Sequence, residues 1–97
     1  MKRLDERLKK YGFVIASNYR VRVVNSLLQS PKTPKQISKQ VGIHLSHVSK
    51  TLSELAGEGI VDCVNPNMKK GRVYRLTELG KWVAHRILSR QDQLETS

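Results

Sequence analysis

The chain has 97 residues, 38% of them hydrophobic and 27% charged, a balance that excludes wholesale disorder and fits one domain, residues 1–97, with a modest core. Lys and Arg number 18 against 8 Asp and Glu, a formal net charge of +10. No acidic residue occurs from Arg7 through Ser53, and a one-signed field over half a small domain implies a polyanionic partner, most often nucleic acid, over a merely solvated basic surface.

The opening MKRLDERLKK is charged and lacks the apolar run of a secretion signal. Leu4, Leu8, Tyr11 and Ile15 then repeat at helical spacing, although Gly12 weakens that helix by about 1 kcal/mol. Ser17 is placed to cap a second helix from Asn18 to about Gln29, with Val23, Val24, Leu27 and Leu28 as its apolar set and Arg20 and Arg22 outside the main stripe. Ser30-Pro31 stops it, because proline disfavours helix at the residue before it. Thr33-Pro34 starts a third helix carrying Ile37 and Val41, and Gly42 suits a left-handed cap at its end. Ile43 sits in the turn, and Leu45, Val48, Leu52 and Leu55 then recur on one helical face. Ser46, His47, Lys50 and Glu54 point the other way, flanked by Ser49 and Ser53.

Glu58-Gly59 closes that helix. Ile60, Val61, Cys63 and Val64 read as a strand, Asn65 to Gly71 as a loop, and Arg72 to Leu76 as a second strand, with Tyr74 and Leu76 facing inward. Thr77 caps a last helix with the stripe Leu79, Val83, Arg86/Ile87 and Trp82 beside it, extending toward Leu94. The predicted fold class is mainly α with a small β-hairpin: a winged helix-turn-helix flanked by N- and C-terminal helices. No window has the apolar length of a membrane span. A single cysteine, Cys63, permits no internal disulfide and fits a reducing interior, and as a strand residue it reads as core more than as a redox switch. The expectation is a soluble, cytoplasmic protein.

A helix with a buried Leu/Val stripe and an outer face of short hydrogen-bonding groups plus a cation suits the DNA major groove. The segments NYRVRVVNSLL, TPKQISKQVGIHLSHVSKTLSELAGEGIV and GRVYRLTELGKWV resemble winged-helix transcriptional regulators of the MarR and ArsR kind, particularly small archaeal ones, over roughly Tyr19 to Val83. The resemblance implies that the helix of about residues 45–58 enters the major groove. It also implies that a wing of about 65–72 lies along the backbone or minor groove. Ser38 stands where such proteins usually have alanine, and the paired cysteines of metal-sensing ArsR relatives are missing, so metal sensing is not implied.

His44 and His47 have a spacing that could hold a metal, but no carboxylate or cysteine stands nearby, so His44 reads as a helix-start residue and His47 as an outward-facing reader. Ser49 has no nucleophile elbow around it, and Glu54 reads as a solvated surface acid with no nucleophile beside it. No enzyme constellation, cofactor motif or metal-ligand set emerges. The sequence therefore predicts a non-enzymatic transcriptional regulator that binds double-stranded DNA, with a protein-interaction or RNA-binding subunit of a larger assembly as the alternative. Ser46, His47 and Lys50 are the candidate base readers. Arg22, Thr33, Lys35, Lys39, Ser49, Lys69, Lys70 and Arg72 are candidates for the DNA backbone. Leu4, Leu8, Tyr11, Ile15, Trp82, Val83 and Ile87, in the terminal segments 1–16 and 78–95, are candidates for a homodimer interface.

Overall fold

A computed structural model describes residues 2–96, with side chains from Asp5 to Arg90. Five helices and one hairpin follow one another in the order α1 (Lys2–Ile15), α2 (Asn18–Gln29), α3 (Pro34–Val41), α4 (Leu45–Gly57), β1 (Val61–Cys63), β2 (Tyr74–Leu76) and α5 (Glu78–Thr96). The side chains of Leu4 and Leu94 lie outside the described residues.

Local chemistry sets the boundaries. Ser17 Oγ accepts from Arg20 N at the start of α2. Thr33 and Gln36 form a reciprocal capping box at the start of α3, with Pro34 in its first turn. Gly42 ends α3 at φ 70°, a left-handed conformation that β-carbon crowding disfavours in other residues. The imidazole of His44 accepts from Ser46 N at 3.3 Å and so caps α4. α4 ends at Gly57, with Glu58 as its cap.

β1 and β2 pair antiparallel in the register Val61↔Leu76, Asp62↔Arg75 and Cys63↔Tyr74. A third segment joins them where the sequence suggested only a link between helices. Lys32 N donates to Tyr74 O at 3.0 Å and Tyr74 N donates to Lys32 O at 2.8 Å. The turn before α3 is thereby laced to the wing. Thr77 ties the other side of the hairpin to α5, its hydroxyl donating to Gly59 O at 2.6 Å and accepting from Gly80 N at 3.1 Å.

The core gathers Val14 of α1, Val23, Val24 and Leu27 of α2, Ile37 of α3, Val48, Leu52 and Leu55 of α4, Ile60, Val61 and Leu76 of the hairpin region, and Val83, Ala84 and Ile87 of α5. Each fully buried aliphatic side chain contributes roughly 1.5–3 kcal/mol. Three expectations change here. The predicted α1 stripe splits, because Val14 and not Ile15 enters the core, while Leu8 and Ile15 are exposed. Leu45 heads the α4 stripe but is exposed rather than buried. Val83 and Ile87, placed in the dimer interface by the sequence, are buried within the chain itself and leave no area for a partner.

Candidate nucleic-acid interface

α3, the Gly42–His44 turn and α4 form the helix-turn-helix. Ser38, half-buried, donates its hydroxyl to Ile43 O at 2.5 Å, so the departure from alanine supplies a polar clasp for the turn. Arg22 lies beneath the same turn and donates to the last carbonyl of α3, that of Val41. A cation at a helix C-terminus satisfies an orphan acceptor and complements the helix dipole. Arg22, expected on the DNA backbone, thus serves the turn first. Thr33 likewise has its hydroxyl engaged in the capping box.

The outer face of α4 presents Ser46, His47, Ser49, Lys50 and Ser53, all exposed. His47 is not isolated: the ring of Tyr19, from the first turn of α2, stands 5.2 Å away centroid to centroid, and the His44 ring 6.3 Å away. A shallow cleft lined by Ser17, Tyr19, Arg20, His47, Lys50 and Glu54 runs beside this face. Sequence reasoning missed Tyr19, since nothing local joins residues 28 positions apart. Glu54 corrects another expectation. It is no free surface acid but pairs with Arg20 Nε at 3.4 Å. The Arg20 guanidinium also donates to Phe13 O at 2.8 Å and lies 3.8 Å from the Phe13 ring centroid. One arginine therefore binds α1, α2 and α4 together and screens the acid on α4.

Lys35 and Lys39 stand one turn apart on exposed α3 positions. Among the described residues neither these nor Lys50, Lys69 and Lys70 form an ion pair. In the wing, Asn65 organises the loop by accepting from Val73 N at 2.8 Å and donating to Gly71 O at 3.1 Å. Arg72 points its donors inward, Nε to Met68 O at 2.7 Å and Nη2 to Pro66 O at 3.3 Å. Lys69 and Lys70 remain exposed at the tip. Cys63 is half-buried and bonds Asn65 Oδ1 weakly at 3.5 Å. No group of three or more His, Cys, Asp or Glu is gathered among the described residues, and no helix among them is long and apolar enough to cross a membrane.

The family model described as the HVO_A0261 N-terminal domain matches residues 8–97. The chain belongs to that family. No curated protein matches this HVO_A0261-type domain, but solved structures do. The homodimeric winged helix-turn-helix DNA-binding domain Mb0332 from Mycobacterium bovis is similar at 20% identity and TM-score 0.74, over 99% of this chain and 89% of that one. The transcriptional repressor BigR from Xylella fastidiosa is 25% identical at TM-score 0.74, covering 91% and 85%. NMB1585, a MarR family regulator from Neisseria meningitidis, is 24% identical at TM-score 0.69, covering 82% of this chain and 58% of that one. The HVO_A0261-type domain thus has the winged helix-turn-helix fold of ArsR- and MarR-family transcriptional regulators.

Away from the helix-turn-helix, α1 packs along α5. Tyr11 and Trp82 are half-buried between these helices, with the Arg86 guanidinium within 5.6 Å of the Tyr11 ring centre and 5.5 Å of that of Trp82, and Arg7 within 5.7 Å of Trp82. Both rings, expected at a dimer interface, already have partners inside the chain. Among the described residues, Leu8, Ile15 and Leu88 are the exposed large apolar residues of the two helices.

Proposed function

We propose that the chain is a non-enzymatic, cytoplasmic transcriptional regulator that binds specific sequences of double-stranded DNA as a homodimer. One observation carries this reading: α4 offers an uninterrupted exposed strip of Ser46, His47, Ser49 and Lys50, and the acid on the same helix, Glu54, is paired with Arg20. Ser46, His47 and Lys50 have the donors and acceptors to read base edges in the major groove. Lys35, Lys39, Ser49, Lys69 and Lys70 supply backbone contacts. The net charge of +10 supports a polyanionic partner, and Mb0332, of the same fold, is a homodimeric DNA-binding domain. Leu8, Ile15, Leu88 and the outer edges of Tyr11 and Trp82 would meet the second copy. Regulation then acts through occlusion or recruitment at a promoter, without chemistry.

The test is fluorescence anisotropy on a duplex enriched from a random pool, over a range of salt. With about four to six phosphates neutralised per domain, log affinity should fall against log salt with a slope on the order of −4 to −5. Affinity that ignores salt, or a chain that prefers single-stranded RNA or a protein partner to any duplex, would overturn the reading in favour of an interaction module.

A further inference from the structure

The large apolar side chains left exposed among the described residues fall into two groups. Leu8, Ile15 and Leu88 lie on the terminal helices; Tyr19, Leu45, Val64 and Met68 lie on α2, α4 and the wing. The second group is the more exposed, and Met68 at the loop tip is the most exposed of all at 52%. A lone apolar side chain in water is ordinary and carries no meaning by itself. What sets Met68 apart is the backbone that holds it.

Five hydrogen bonds converge on this short loop. Met68 O accepts from Arg72 Nε at 2.7 Å, and Met68 N donates to Asn65 O at 3.1 Å, so both backbone polar groups of the tip residue are fastened. Arg72 also reaches Pro66 O, and Asn65 bridges to Gly71 and Val73 on the returning side. Gly71 makes the turn at φ 69°. Arg72 is therefore committed to shaping the loop, while Lys69 and Lys70, next in the chain to Met68, face solvent. A pinned loop bearing an unbranched apolar side chain with two cations directly after it in the chain has the requirements of a wedge. Its backbone resists recoil, its thioether adapts to an irregular gap, and its neighbours neutralise the phosphates that crowd as a duplex bends.

We propose that Met68 is an apolar wedge that enters the minor groove and bends the DNA, with Arg72 as its positioning residue; this rests on the DNA-binding reading above. The wing then contributes through the deformability of the sequence beneath it as well as through charge. The experiment uses the intact chain and the pool-enriched duplex, labelled at its two ends with a fluorescence donor and acceptor, at saturating protein. The wild-type complex should show a bend of at least about 20°. Met68→Ala should straighten the saturated complex while leaving the salt slope unchanged, and Met68→Leu should restore the bend. Arg72→Ala should straighten it as well, with no further change on adding Met68→Ala. Replacing Lys69 and Lys70 with alanine should weaken binding and lower the salt slope, yet the saturated complex should stay bent. A straight wild-type complex, or an unchanged bend in Met68→Ala, would sink the wedge and leave DNA binding standing. Failure of the wild type to bind duplex at all would sink the DNA-binding reading itself.

Discussion

Lys50 and the two wing lysines carry the same charge in different surroundings, and that difference underlies the roles proposed for them. Lys50 stands on α4 beside His47, in the cleft shared with Tyr19 and Glu54, where a groove-bound helix would hold it against base edges. Lys69 and Lys70 project from a loop, where only phosphates and the groove mouth are within reach. Lys50→Ala should cost about 1–3 kcal/mol on the preferred duplex and much less on random DNA. The double replacement of Lys69 and Lys70 by alanine should weaken both duplexes by similar factors and reduce the salt slope by roughly two. Paired competition titrations on the two duplexes measure this. Equal losses on both DNAs for Lys50→Ala, with preference erased by the wing variant, would mean the roles are reversed. Arg72 is left out of that variant because its guanidinium is bound to Met68 O and Pro66 O, so its removal would disturb the loop as well as the charge.

At the scale of elements, the approach of α5 to the hairpin is the tightest constraint. Gly80 faces the backbone of Ile60 so closely that an added β-carbon would lie inside van der Waals contact of the Ile60 carbonyl oxygen. Gly80→Ala, a helix-favouring change in an isolated helix, should therefore destabilise the protein by about 1–3 kcal/mol. A urea melt of the variant checks it, and a raised midpoint would show that α5 can shift without loss. Nothing in TELGKWV marks that glycine as more than a helix-start residue, because the crowding comes from Ile60, twenty residues earlier and just before β1. The caps, by contrast, were legible in the sequence: Ser17, Thr33, Gly42 and Thr77 act on neighbours within a few positions. The helix-turn-helix followed from helical periodicity with the Thr33-Pro34 start and the Gly42 cap, and the hairpin from β-branched and aromatic runs around an Asn/Pro/Gly loop. Which side of α1 turns inward did not, since Val14 and Ile15 are equally apolar and only the packing against α2 and α5 selects between them. The same holds for the candidate site. The exposed face of α4 was readable from its stripe, whereas the Arg20–Glu54 pair and the Tyr19–His47 contact join residues 34 and 28 positions apart.

For the whole molecule, the packing of α1 against α5 is the feature that bears on assembly. Leu8, Ile15 and Leu88 leave apolar area on the terminal helices, and a second copy related by a two-fold axis would cover it. Replacing Leu8 and Leu88 together with glutamate should shift the protein to monomer in sedimentation while helical circular dichroism persists. Half-sites in the enriched DNA should lie about one helical turn apart. A wild type that sediments only as monomer at micromolar concentration and binds DNA one to one would refute the dimer. The lacing of Lys32 to Tyr74 has a consequence at this scale. It sews the wing to the segment leading into the helix-turn-helix, so the loop tip and α4 cannot slide apart independently. If α4 occupies a major groove and the wing the minor groove beside it, as proposed, the protein is in effect a fixed caliper set to one span between them. Duplexes whose twist opens or narrows that span should be rejected even when every contacted base is correct.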